Sequence, residues 1–169
     1  MEIVRNFISI SGLAEADVLP NNIRGQQIQY SEAETIYIPK NQPDIKSLFQ
    51  VLIKVRIMST RSILTPTGNT IVIDGIKKLK LIYTQCDTSG KAVFLDLELP
   101  FNTFFELPAN VELVNIEIYV LDAYFSLLDE RRIYSHFVFI VNVSVGSTDV
   151  SEGNNGKEEI LIDLDAEYL

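Results

Sequence analysis

The chain has 169 residues, 47 % of them hydrophobic, which is enough for one ordinary domain with its own core. Its net charge is −9 without a basic stripe, a balance that disfavours nucleic acid and anionic lipid surfaces as partners. A single cysteine, Cys86, excludes an internal disulfide and a zinc site built on cysteines. No run of about 18 apolar residues indicates a membrane span, and the start "MEIVRNFISISG" predicts no conventional secretory signal.

In the first half of the chain, alternation of apolar and polar residues predicts strands rather than helices. Short strands are predicted at residues 4 to 11 and 34 to 39, and a single helical turn or a loop at 43 to 48. The stretch "SLFQVLIKVRIMS" predicts one long strand near 40 Å in length at about 3.3 Å per residue. The sequence "TPTGNT", residues 65 to 70, then predicts a hairpin or a connection between sheets.

The second half continues with the same period of two. Strands are predicted around residues 71 to 83, 93 to 99, 114 to 120 and 133 to 145. The last of these is apolar on both faces, which indicates a central strand covered on both sides. The predicted fold is therefore all-β, an antiparallel β-sandwich or small barrel with a flexible acidic C-terminal tail.

The tail differs from the domain in composition. Residues 1 to 145 are predicted to form the β domain, with an N-terminal strand region at 1 to 45 and a core at about 51 to 145. Residues 146 to 159, "GSTDVSEGNNGKEE", predict a flexible tether. Residues 160 to 169, "ILIDLDAEYL", are apolar and acidic by turns, unlike a linker.

Catalytic chemistry finds little support in the residues. His136 is the only histidine and lies in a predicted strand without a partner motif, so we interpret it as a residue that fills a sheet face. Cys86 is flanked by Gln85 and Asp87 rather than by cations, so an unreactive edge thiol is expected. No calcium loop or phosphate-binding glycine loop is present in the sequence. We therefore predict no enzyme activity, no metal and no cofactor.

The charged stretch "LDERR", residues 128 to 132, has two interpretations. Asp129 and Glu130 could act as a carboxylate pair, or Arg131 and Arg132 could clamp an anion. The favoured interpretation is a hairpin turn in which the aspartate accepts backbone N–H bonds and an arginine forms an ion pair with a neighbouring strand.

The aromatic residues Phe104, Phe105 and Tyr119 offer an alternative ligand face. Exposed rings in a row stack on sugars, which would make the chain a glycan- or peptide-binding β module. Closure of one end of a sandwich core is the favoured interpretation of such rings.

Three segments in fixed order carry a family resemblance. They are "IVIDGIKKLKLIYTQ", "VFLDLELPFNTFFELP" and "IEIYVLDAYFSLLDERRIYSHFVF". The region from about residue 51 to 145 resembles the SPOCS domain of spore-coat-associated proteins, and upstream similarity extends the resemblance to about residue 30. The motif residues are Gly75, Tyr83, Pro100, Phe101, Leu127, Leu128 and Asp129.

The resemblance implies a β-rich, non-catalytic module used in building the protein layers of bacterial spores. In the best-known family setting a LysM module follows the domain, whereas only the tether and ten further residues follow here. The expected function is thus a structural component of the coat, exosporium or appendages, located at the spore surface. Its expected partners are itself or other spore-coat proteins, with a glycan less favoured.

The motif residues also have structural interpretations. Gly75 would allow a bulge or a close approach of neighbouring groups, Pro100 would end a strand, and Phe101 would plug the core.

Strand addition at a sheet edge is the simplest way for such a domain to assemble. The terminal Ile160, Ile162 and Leu164 alternate as a donor strand would, and so do Phe7, Ile8 and Ile10 in the N-terminal segment. Pairing of the tail with its own domain is the alternative.

Overall fold

The structure is a computed structural model that describes residues 1–19, 25–66, 68–87, 89–108 and 111–147. These residues form eight strands and no helix, so the predicted all-β class is confirmed. The strands are β1 Glu2–Arg5, β2 Ile8–Ser11, β3 Gly25–Tyr37, β4 Ile45–Thr65, β5 Gly68–Gln85, β6 Ala92–Leu107, β7 Val111–Asp129 and β8 Arg132–Ser147.

The strands form two sheets packed face to face. Sheet A has the order β1-β2-β4-β5-β6, and sheet B has the order β3-β8-β7. Every pairing is antiparallel except that of β2 with β4, which is parallel and joins Ser9–Ser11 to Gln50–Leu52. We call the end with the β7–β8 turn the lower end and the end with the β4–β5 hairpin the upper end.

The alternation in the sequence explains the core. Inward side chains of β5 occupy every second position, so the odd-numbered residues from Ile71 to Tyr83 are all buried. They meet β8, whose buried Phe137 and Phe139 stack on each other with ring centroids 5.7 Å apart. The core has a lower part around these phenylalanines and an upper part around Ile73 and Val143.

The structure refines several predicted elements. β4 spans 21 residues and starts at Ile45, so no helical turn precedes it at 43 to 48. The "TPTGNT" stretch forms a hairpin within sheet A, because Thr65 pairs with Gly68. β8 is central in its sheet as predicted, but its outer face is only half-buried except at Asn142, since no layer of the described chain covers it.

Pro100 does not end a strand, contrary to the prediction. It lies within β6 opposite Ile76, and the pairing continues to Leu107. β6 is one of the two edge strands of sheet A, the other being β1. A proline is tolerated there, since its missing N–H can face the open side without breaking a ladder bond.

Candidate functional site

The most unusual surface of the molecule is the open edge of β4. β2 pairs with this edge only at Gln50–Leu52. In the part of the chain that the structure describes, no strand pairs with β4 on this side beyond Leu52. The stretch from Lys54 to Leu64, which we call the β4 edge, therefore presents unpaired backbone groups at every second residue.

Gly12 explains why β2 stops where it does. Its φ is +99°, and a Cβ on it would lie 2.0 Å from the carbonyl oxygen of Ile53, so the chain meets β4 in a way open only to glycine. Two residues later the N–H of Ala14 donates to the Val120 oxygen of β7 at 2.8 Å. The chain thus crosses from sheet A to sheet B, and buried Leu13 closes the lower half of this side.

Above this crossing the two sheets stay apart. A cleft there is lined by Thr60 and Ser62 of β4 and by Val111 and Leu113 of β7, with Ile71 at its base. Further inward-facing residues border this side and are only partly buried: Ile57, Ile116 and Ile118. We call the gap between the β4 edge and residues 111–118 of β7 the open slot. Leu64 at its upper rim is 87 % exposed.

The β4 edge carries basic residues and no acidic one. Lys54, Arg56 and Arg61 lie within it, although the chain as a whole has net charge −9. Arg61 donates from Nε to Asp74 of β5 at 3.1 Å. The pKa of Asp74 is lowered, first by the hydrogen bond from Asn102 and then by Arg61. This exposed network ties β4, β5 and β6 together on the outer face of sheet A.

The N-terminal residues predicted for assembly belong mostly to their own domain. Ile8 and Ile10 are buried at 5 % and 0 % exposure in the lower core. Phe7 lies in the β1–β2 turn with φ +63° and is 96 % exposed. Ile8 and Ile10 are therefore unavailable to a neighbour while β2 stays in place. The other predicted assembly residues, Ile160, Ile162 and Leu164, lie outside the described residues.

The three aromatic residues of the alternative ligand face lie on separate surfaces. Phe104 is 65 % exposed on the outer face of sheet A, and Phe105 is buried in the upper core. Tyr119 lies on the outer face of sheet B, where its hydroxyl donates to Glu117 at 3.2 Å. They do not form one stacking platform.

The motif residues Gly75 and Phe101 are a matched pair. The Phe101 ring lies over Gly75 so closely that a Cβ there would be 2.2 Å from the ring. The ring also stacks on Phe139 of the opposite sheet with a centroid distance of 5.7 Å. Gly75 is thus the site of a close approach, and Phe101 fills the space it leaves in the core.

The "LDERR" residues form a structural turn. Asp129 accepts the backbone N–H of Arg131 at 2.9 Å, and this bond is the main cause of its lowered pKa. Arg131 pairs with Asp44 and donates to the carbonyl oxygens of Ile38 and Pro39. The arginine therefore joins the β3–β4 connection to the β7–β8 turn, and its guanidinium is occupied by protein groups.

The remaining motif residues lie close to this turn. Tyr83 is buried and donates its hydroxyl to the Pro43 oxygen at 3.1 Å. Leu127 packs against the lower core, whereas Leu128 is 52 % exposed.

The two reactive side chains considered from the sequence lie apart. His136 is on the outer face of β8, opposite Ala33 and Tyr124. Cys86 is exposed, and its pKa is raised by partial desolvation and by Glu130 and Asp44. A raised thiol pKa is the opposite of what a nucleophilic cysteine needs.

Lys77 is a core residue that the sequence interpretation missed. Its side chain is fully buried between the sheets, and its Nζ contacts Glu32 at 2.8 Å and Glu34 at 2.5 Å. The Nζ also lies 4.9 Å from the ring centroid of Phe137. The sequence did contain a signal for this buried cluster. Lys77 stands in the row of alternate residues that face inward in β5, and the two glutamates alternate in the same way between Tyr30 and Ile36.

Comparisons with protein-family models, curated proteins and solved structures find no match to this chain. Across the described ranges, no group of three or more His, Cys, Asp or Glu side chains could hold a metal ion. The same residues contain no helix of the length and hydropathy that crossing a membrane requires.

Proposed function

We propose that this chain is a non-catalytic structural subunit of a bacterial spore surface layer, such as the coat, the exosporium or an appendage. It assembles with itself or with other coat proteins by strand addition at the β4 edge. The resemblance to the SPOCS domain supports the spore setting.

The observation that carries the proposal is the open slot beside the β4 edge. An edge strand with free backbone groups is a template for another strand, and natural proteins usually protect such edges. Here the lower half is protected by β2 and Leu13, whereas no strand of the described residues covers the upper half from Lys54 to Leu64. An added strand would find both backbone partners and partly exposed apolar side chains.

The glycan alternative lacks a comparable observation, because Phe104, Phe105 and Tyr119 face three different ways. A peptide ligand would use the same slot as a subunit would, so it is a variant of the same mechanism.

The test is negative-stain electron microscopy of three full-length proteins at increasing concentration, namely wild type, Thr60→Lys and Ile63→Lys. Thr60 faces the open slot, and exposed Ile63 faces the outer surface of sheet A three residues away. We expect filaments or sheets from wild type and Ile63→Lys, and dispersed particles from Thr60→Lys, because a charge in the slot opposes strand addition.

Two results would contradict the proposal. If the wild-type protein stays monomeric at every concentration, it does not assemble with itself. Polymers from Thr60→Lys equal to those of wild type move the contact away from the β4 edge.

A further inference from the structure

We infer that residues Ile160–Leu164 of this chain are the strand that occupies the open slot, paired with the β4 edge. The inference deepens the proposed function and rests on it where the segment passes between copies. Its own evidence is where the chain leaves the described domain, the charge of the two partners and the pattern of the segment.

The described chain ends beside the slot. Ser147, the last residue of β8, pairs with Val111, which lines the cleft together with Leu113. Neighbouring strands lie about 4.8 Å apart and packed sheets about 10 Å apart, so the β4 edge is only some 10 to 15 Å away. The twelve residues from 148 to 159 can span up to about 40 Å when extended, so Ile160 can reach the slot.

The charges of the segment and of the β4 edge are complementary. The segment contains one acid, Asp163, within a tail (residues 146 to 169) of seven acids and one lysine, whereas the β4 edge contains three bases, Lys54, Arg56 and Arg61, and no acid. If Ile160, Ile162 and Leu164 point into the slot, then Leu161 and Asp163 point outward. The aspartate then joins the face that carries Lys54 and Arg56, and opposite charges on adjacent strands stabilise pairing.

The apolar side chains of the segment also match the apolar residues that border the slot. The inward residues bordering the slot are Ile57, Leu113, Ile116 and Ile118, all partly exposed. Three branched aliphatic residues at positions i, i+2 and i+4 would cover them from one face of a strand. A five-residue strand is about 17 Å long, which fits within the eleven-residue β4 edge.

The short link between the domain and the segment determines which copy of the chain supplies the strand. A link of only twelve residues, 148 to 159, keeps the segment near its own slot at an effective concentration on the order of millimolar. In dilute solution the segment therefore covers the edge of its own chain. In a packed layer, where neighbouring chains are as close, the same strand can exchange into the slot of a neighbour, which is domain swapping.

The test is hydrogen exchange of dilute full-length protein, read by mass spectrometry on peptides that cover residues 54 to 64. The variant is Ile162→Asp, and its matched control is Leu161→Asp, the adjacent residue on the opposite face. We expect β4-edge amides facing the slot to exchange at least about tenfold faster in Ile162→Asp than in wild type, which corresponds to about 1.4 kcal/mol of pairing free energy. Leu161→Asp should match wild type.

A synthetic peptide of residues 158 to 169 then supplies the strand in trans. Added to Ile162→Asp protein, it should restore slow exchange at residues 54 to 64, and the peptide with Ile162→Asp should not. Equal exchange in wild type and Ile162→Asp overturns the inference, as does an equal effect of both aspartate variants or a wild-type peptide that restores nothing.

The outcomes separate this inference from the proposed function. If Ile162→Asp polymerises as wild type does and its β4-edge amides exchange no faster than those of wild type, the assembly function stands and the segment is not the donor. Protected edges in a wild type that never polymerises keep the pairing and remove assembly.

Discussion

The hydroxyl groups of Tyr30 and Tyr83 differ in hydrogen bonding, although both rings belong to the lower core. The Tyr30 ring stacks on Phe139 at 4.9 Å, and its hydroxyl is buried without a hydrogen-bond partner in the described part of the chain. Burial, and secondarily Glu32, raises the pKa of this hydroxyl. The Tyr83 hydroxyl donates to the Pro43 oxygen at 3.1 Å.

The two tyrosines should therefore respond differently to loss of the hydroxyl. Tyr30→Phe should leave the free energy of unfolding unchanged or raise it by up to about 1 kcal/mol, because a buried polar group without a partner is removed. Tyr83→Phe should lower it by about 1 kcal/mol through the lost hydrogen bond to Pro43. Urea unfolding measures both. Equal losses in the two variants would show that the Tyr30 hydroxyl is satisfied in solution.

Gly75 tests the close approach of Phe101. Gly75→Ala should lower the free energy of unfolding by about 1 to 3 kcal/mol, because its Cβ would meet the Phe101 ring at 2.2 Å. Phe101→Leu in the same chain should recover part of that loss by making room. Gly146→Ala is the control, since its Cβ would meet only a methyl group of the exposed Val114, at 3.3 Å. If the double variant is as unstable as Gly75→Ala alone, the loss of stability arises from a contact of the new Cβ with the backbone instead.

At the scale of single strands, Lys77 is the exception in β5. Its neighbours on the inward face, Gly75 and Leu79, are buried and uncharged, and the two glutamates that pair with it come from β3. Glu32 and Glu34 keep 31 % and 25 % of their side chains exposed, so water reaches the acids but not the ammonium group. The pair joins the two sheets across the core.

Replacing the lysine alone should lower the free energy of unfolding more than replacing the lysine and both glutamates together. Lys77→Met should lower the free energy of unfolding by about 3 kcal/mol, since two neighbouring carboxylates lose their partner. Glu32→Gln and Glu34→Gln added to it should bring stability back to within about 1 kcal/mol of wild type. Denaturant titrations of the single and triple variants provide the measurement. A triple variant as unstable as Lys77→Met would mean that packing of the lysine stem dominates.

Much of the strand content was predictable from the sequence, because burial on one face imposes a period of two. β5 and β6 are examples, since Leu79, Leu81 and Leu95 alternate with polar residues and lie in the core. The continuation of β6 through Pro100 was not predictable, because a proline interrupts a central strand and not an edge strand. Which strand lies at an edge depends on sheet order, and local alternation carries no information on that.

The candidate site was predictable only in part. The alternation in residues 160 to 164 predicts a strand. Nothing local in β4, however, indicates that no described strand pairs with its upper half. That gap arises from the parallel pairing of β2 and from Gly12, which turns the chain away beside Ile53. Both depend on contacts between residues some forty positions apart in the chain.

The whole molecule is a sandwich of unequal sheets. Five strands face three, and the N-terminal hairpin closes the β7 side at the lower end, where Arg5 donates to Asp122 at 2.8 Å. The upper end has no equivalent cover among the described residues. The lower half is thus a closed domain core, whereas the upper half is a core with one side left for another strand.

The central position of β8 has a consequence for synthesis on the ribosome. β4, β5 and β6 are hairpin neighbours and are complete once residue 107 has emerged. β3 and β7 cannot join until β8 lies between them, and Gly25 pairs with Ser144, which is translated far later. Translation proceeds at about 5 to 20 residues per second, so the apolar face of β4, β5 and β6 stays exposed for several seconds before β7 and β8 are made. Nascent chains of this protein should be clients of chaperones during that interval.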